Sequence, residues 1–174
     1  MSKDPIGLEG GLNLYEAFGN DPVCFRDPEG LSGVIAIYTD LSGDGKFRGH
    51  AWISYTPDRT GNTTTYGTWG LKHYKGLFSD REKGRKSTVS RCRHIDDAGE
   101  IKLYIVIIRY LLKKENAWER LNPCSGFASE AWREATGEFL QDRNFFHIST
   151  PVTLSTSIQA ANVNDQLSEP DHDE

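Results

Sequence analysis

The first thirty residues constrain this chain more than any other stretch. Between Asp4 and Leu31 the sequence DPIGLEGGLNLYEAFGNDPVCFRDPEGL places glycine at positions 7, 10, 11, 19 and 30 and proline at 5, 22 and 28. Glycine costs backbone entropy inside a helix, and proline removes a donor and clashes with the preceding turn. No long helix can therefore run through the segment. Short strands joined by tight turns are expected, a short irregular β segment over residues 1–31. A DPxGL pattern opens and closes it, at Asp4–Leu8 and Asp27–Leu31.

From Ser32 the texture changes. Val34-Ile35-Ala36-Ile37-Tyr38 is apolar and β-branched, and Gly49 to Tyr55 alternates large and small side chains. Together these predict a hairpin or adjacent strand pair. Asn62 to Trp69 and Ser87 to Ile95 predict two further strands. Asp40, Ser42, Asp44 and Gly45 imitate the start of a calcium loop, but Ala51 stands where its bidentate glutamate belongs, so a hairpin turn is expected. Asp96-Asp97 offers an N-cap to a helix over 100–114, where Ile101, Tyr104, Ile105, Ile108, Leu111 and Leu112 fall at helical spacing. Its β-branched content keeps a strand open for the middle. A second helix starts near Pro123-Cys124, with Phe127, Ala128, Ala131, Trp132 and Ala135 on one face and Gly137 as its stop. A short helix is expected from Ser155. The pattern predicts an α+β domain over 32–164, an antiparallel sheet packed on helices, followed by an acidic disordered tail at 165–174.

Composition excludes several function classes. A net charge of −5 argues against a nucleic-acid binder. The basic run Arg81, Lys83, Arg85, Lys86, Arg91 and Arg93 reads as a solvated face. The longest apolar run, Leu103 to Leu112, is too short to span a bilayer and contains Arg109, so stable membrane insertion is not expected. No signal peptide is expected from Met1-Ser2-Lys3 leading straight into Asp4-Pro5. The cysteines, Cys24, Cys92 and Cys124, are odd in number and lack CxxC spacing, which argues against a disulfide framework or zinc cluster. No metal or cofactor is called for.

Chemistry concentrates at Cys124. Unpaired N–H groups and the positive end of a helix dipole stabilise a thiolate, the nucleophilic form of cysteine. A neighbouring imidazole would complete the activation. Of the five histidines, His172 lies in the acidic tail, His147 follows Phe145-Phe146, His94 sits in a basic strand and His73 on a loop. His50, behind Gly49 on an amphipathic strand, is best placed to face a cleft. Thr65, Asn62 or His73 would orient the imidazole.

Two resemblances bear on function. The opening segment resembles the end of the RHS repeat-associated core domain. It matches at Asp4, Pro5, Gly7, Leu8, Gly10, Gly11, Asn13, Tyr15, Asn20, Pro22, Asp27, Pro28, Gly30 and Leu31, with Asp21 displacing the register slightly. The match covers about a sixth of the chain. In that family the segment closes a β-cage around a variable C-terminal toxin, and an aspartyl-type self-cleavage follows. The resemblance implies Asp4 and Asp27 as its acids and the Leu31–Ser32 bond as its site in full-length relatives. It also implies a secretion apparatus and a cognate immunity protein as partners. GHAWISY, YGTWG and NPCSGFASEAW, within residues 33–136, resemble the circularly permuted papain-like superfamily of NlpC/P60-like hydrolases. That likeness implies a permuted papain-like fold, with His50 on an early strand and Cys124 opening a later helix as a catalytic dyad. The expected activity is cysteine-dependent acyl transfer on a protein, peptidoglycan or lipid substrate. Ser155-Thr156-Ser157 raises ADP-ribosyltransferase as an alternative, and a non-enzymatic binding or pore-forming effector is the other.

Overall fold

The computed structural model of the chain describes residues 32–42, 49–71, 74–119, 121 and 123–168. The expected β segment with Asp4 and Asp27, the loop histidine His73, and residues 169–174 lie outside them.

Five strands form one antiparallel sheet: β1 (Gly33–Asp40), β2 (His50–Pro57), β3 (Thr64–Leu71), β4 (Tyr74–Ser79) and β5 (Val89–Ile95), in the order β4-β3-β2-β1-β5. β1 pairs with β2 along its whole length, from Gly33 opposite Pro57 to Asp40 opposite His50. Four of these strands follow from their apolar alternation. β4 does not: it carries Lys75 and Gly76, the latter at φ 133°, and among the described residues it lies at the sheet edge and pairs with β3 alone.

Helices α1 (Asp97–Lys113), α2 (Cys124–Thr136) and α3 (Pro151–Ser168) complete an α+β architecture, with a 3-10 turn at Lys114–Ala117 after α1. Asp96 caps α1 by accepting from the Gly99 N–H at 2.8 Å, and Gly137 ends α2 in the left-handed region at φ 74°. α3 begins earlier and runs further than its sequence suggested. Thr150 Oγ1 accepts from the Thr153 N–H at 3.1 Å, and Pro151 occupies the first turn, where its missing N–H is harmless. The helix continues four residues into the stretch read as tail, where Asp165 binds Arg91 and Arg93. Those two ion pairs hold this end of α3 on β5.

Strand alternation divides the side chains of β1 and β2 between two faces. Ile35, Ile37, Ala51, Ile53 and Tyr55 join Leu103, Val106, Phe127, Ala131, Trp132, Leu154 and Ile158 in one apolar core under the helices. Trp52 and Tyr38 stack on the other face at 5.3 Å between centroids, and Tyr38 and Ser54 share a hydrogen bond. α1 holds a reversal. Its buried face is Gly99, Glu100, Leu103, Val106, Ile107 and Tyr110, whereas the residues that signalled the helix, Ile101, Ile105, Ile108, Leu111 and Leu112, face solvent.

The basic run is engaged internally. Arg85 pairs with Asp40, Lys83 with Asp80, Arg91 with Glu138 and Asp165, and Arg93 with Asp165. One cysteine departs from expectation: Cys92 is disulfide-bonded, whereas Cys124 is free and buried.

Candidate functional site

The fold brings the start of β2 against the start of α2. Cys124 is the first residue of α2, behind Pro123, which provides no side-chain cap. The first turn contains no acid. The helix therefore presents its N–H groups and the positive end of its dipole without a compensating carboxylate of its own. Packing fixes the helix: Phe127, Ala128, Ala131 and Trp132 are fully buried, and Phe127 meets Tyr110 of α1 edge-on at 4.9 Å.

His50 opens β2, opposite Asp40. Gly49, at φ 98°, turns the chain into the strand, and a Cβ there would approach the Asp40 carbonyl oxygen to 2.8 Å. The imidazole is buried, stacks on Trp52 at 5.7 Å and lies 4.2 Å from Trp69. The Cys124 side chain interacts with the imidazole and favours its charged form. Nε2 meets Glu82 Oε1 at 3.0 Å.

Glu82 is the residue that sequence reasoning missed. It belongs to the loop after β4, between Arg81 and Lys83, and is only 2% exposed. A buried carboxylate demands partners, and it has them. Trp69 Nε1 donates to Oε1 at 2.7 Å, and Thr65 Oγ1 donates to Oε2 at 3.4 Å. Thr65 thus holds the carboxylate that meets the imidazole, while Asn62 is exposed in the turn before β3. Gly67, on β3 between Thr65 and Trp69, makes the approach possible: a Cβ there would stand 2.4 Å from Glu82 Oε1 and 3.2 Å from His50 Nε2.

The loop is anchored at both ends. Asp80 exchanges backbone and side-chain hydrogen bonds with Thr65, and Arg85 binds Asp40 Oδ2 through Nε at 3.0 Å and Nη2 at 2.7 Å. Arg81 lies over the Trp69 ring at 4.8 Å, and Arg85 approaches Trp52 and Trp69. The only sequence signal for Glu82 was a single acid inside a basic run.

Electrostatics follow from these contacts. Burial works against a charged imidazole, but hydrogen bonds and attraction to Cys124 and Glu82 outweigh it and raise the pKa of His50 above its ordinary value. Burial likewise opposes a charged Glu82, and its bonds to His50 and Trp69 outweigh it, holding its pKa below the usual range. Near neutral pH Glu82 is therefore an anion against a histidine inclined to hold a proton.

The remaining candidates lie elsewhere. His94 is on β5 opposite Val34, His147 is exposed in a turn at φ 58°, and Ser155-Thr156-Ser157 is part of α3. Among the described residues no cluster of His, Cys, Asp and Glu could hold a metal ion. No helix among them is long and apolar enough to cross a membrane. Comparison with known proteins finds no matching family model, no matching curated protein and no matching solved structure.

Proposed function

We propose that residues 32–164 form a cysteine-dependent acyl-transfer enzyme of permuted papain-like design, with Cys124 as nucleophile, His50 as general base and acid, and Glu82 as the residue that positions the imidazole. The observation that carries this reading is the chain of contacts at the start of α2. A free thiol at an uncapped helix start interacts with an imidazole whose Nε2 is held by a buried carboxylate.

The chemistry follows from that order. Cys124 Sγ attacks the carbonyl carbon of an amide or ester, and the thiol proton passes to His50. The developing oxyanion is met by the Cys124 N–H and the field of the helix start. As the tetrahedral adduct collapses, His50 protonates the leaving amine or alkoxide, leaving an acyl thioester on Cys124. Water or another acceptor then attacks the thioester while His50 takes its proton, and the thiol is released. Glu82 holds the imidazole in place through Nε2.

The biological setting rests on the resemblance of residues 1–31 to the end of an RHS core domain. On that reading the domain is the effector end of a polymorphic toxin, delivered by a secretion apparatus and restrained by an immunity protein. The substrate is a protein, peptidoglycan or lipid acyl group. A folded Cys124→Ala chain is expected to lose both toxicity and labelling by an electrophilic acyl trap. Full toxicity in that folded variant would refute the enzyme reading. A thiol that reacts with the trap no faster than a free cysteine would favour a binding effector.

A further inference from the structure

α1 is apolar on both sides. Facing inward, Leu103, Val106, Ile107 and Tyr110 are buried in the core. Facing outward, Ile101 is 61% exposed, Ile105 51%, Ile108 54%, Leu111 52% and Leu112 77%. A surface helix ordinarily turns polar residues to water, and one that is apolar all round belongs in an interior. A contiguous exposed aliphatic patch of this kind marks an interaction surface.

Its spacing indicates the shape of the partner. Ile101, Ile105, Ile108 and Leu112 repeat at intervals of four, three and four residues, the seam of a helix pair. That spacing reads the same in both directions. Rotation about a point between Val106 and Ile107 exchanges Ile101 with Leu112 and Ile105 with Ile108. The stripe is therefore self-complementary in the antiparallel sense, which is what a two-fold interface requires of one surface.

Charge fits the same arrangement. The outward face carries Lys102, Arg109 and Lys113, while the one acid between Asp97 and Lys114, Glu100, is buried and bound to Arg59. On the rim, Arg109 Nη1 donates to Glu130 Oε1 at 2.5 Å, and Tyr110 donates to Glu130 Oε2 at 2.7 Å. Antiparallel packing brings Lys102 of one copy to the side where Arg109 and Glu130 of the other lie. One carboxylate then stands between two cations, and the basic rims do not simply repel.

We propose that this face is a homodimer interface, in which α1 packs antiparallel against α1 of a second copy through Ile101–Leu112 and Ile105–Ile108 layers. The proposal is independent of the acyl-transfer reading. It is tested on the full chain by sedimentation equilibrium together with cross-linking. The native chain is expected to sediment as a dimer. The Ile105→Glu/Ile108→Glu chain, checked for fold by circular dichroism, is expected to sediment at half that mass.

In a Cys124→Ser background, an Ile105→Cys/Ile108→Cys chain should oxidise to a covalent dimer. An Ile101→Cys/Ile105→Cys chain should not, because its facing residues are Leu112 and Ile108. Three results would overturn the proposal: a native chain that stays monomeric at the highest concentration it tolerates, an equal yield of cross-linked dimer from the two cysteine pairs, or a monomer that sediments with phosphatidylglycerol vesicles through this face.

Discussion

The helix-covered face of the sheet and the cluster around His50 are both buried, but they are built on opposite principles. The core under the helices is filled by aliphatic and aromatic groups whose burial stabilises the fold without demanding specific partners. Around His50 the buried groups are an imidazole, a carboxylate, a threonine hydroxyl and the Trp52 indole, with Trp69 half-buried beside them, and each buried charge has a named partner. Burying a carboxylate near an imidazole is not an economical way to hold two strands and a loop together, since apolar groups of similar volume would do as well or better. On the acyl-transfer reading proposed above, the polar cluster serves chemistry and the apolar region serves packing.

That contrast can be broken by experiment, starting with the change of greatest expected effect. Trp132→Ala empties a fully buried site in the apolar region and removes the indole donor to Glu138. It should cost about 3–5 kcal/mol of stability, read from urea unfolding. Cys124→Ala, which silences the cluster, should stay within about 1 kcal/mol of the native chain. Equal losses in the two variants would erase the distinction.

Gly67→Ala attacks the cluster without touching an ionisable group. Its Cβ would displace Glu82 from the imidazole, so activity should fall steeply for a stability loss of about 1–3 kcal/mol. An active Gly67→Ala protein would show that the Glu82 contact does not matter.

Glu82→Gln keeps the shape and removes the charge, and should lower turnover by at least about tenfold. It should also move the limb of the pH–activity profile that reports His50 to lower pH, which a purely structural role would not do. Linkage fixes the sign for stability. The raised pKa of His50 means its contribution is fully present below its ordinary 6.5 and is lost as pH rises through the folded value. The lowered pKa of Glu82 means its contribution is fully present above its ordinary 4.5 and is lost as pH falls through the folded value. The melting-temperature advantage of the native chain over Glu82→Gln should therefore be largest between 4.5 and 6.5. A flat difference across pH would refute the ion pair.

Thr65→Val should do least. Its bond to Glu82 is long at 3.4 Å, and its loss should cost about 0.5–1.5 kcal/mol with a small drop in turnover.

These predictions rest on residues of unequal visibility in the sequence. The strands of the apolar region announce themselves, Val34 to Tyr38 as an apolar β-branched run and Gly49 to Tyr55 by its alternation of large and small side chains. Cys124 and His50 could be nominated from local cues, a proline before a helix and a glycine before a strand. Glu82 could not, because its role depends on a loop folding back over β3, and nothing within the run Arg81 to Lys86 distinguishes a buried acid from an exposed one. β4 was hidden for a related reason: an edge strand with Lys75 and Gly76 needs no apolar alternation. In α1 the spacing identified the helix but not the face that is buried, since aliphatic residues occupy both.

Glu82 lies 32 residues from His50, and Cys124 arrives only after β5 and α1 have been added. The three side chains have no local tendency to meet, and closing such loops is an entropic cost met late in folding. A chain that is unfolded, newly made or threaded through a narrow passage carries only an isolated thiol. On the proposed acyl-transfer reading the polypeptide is inactive until it folds, and the rate at which an electrophile labels Cys124 doubles as a clock for its arrival in the native state.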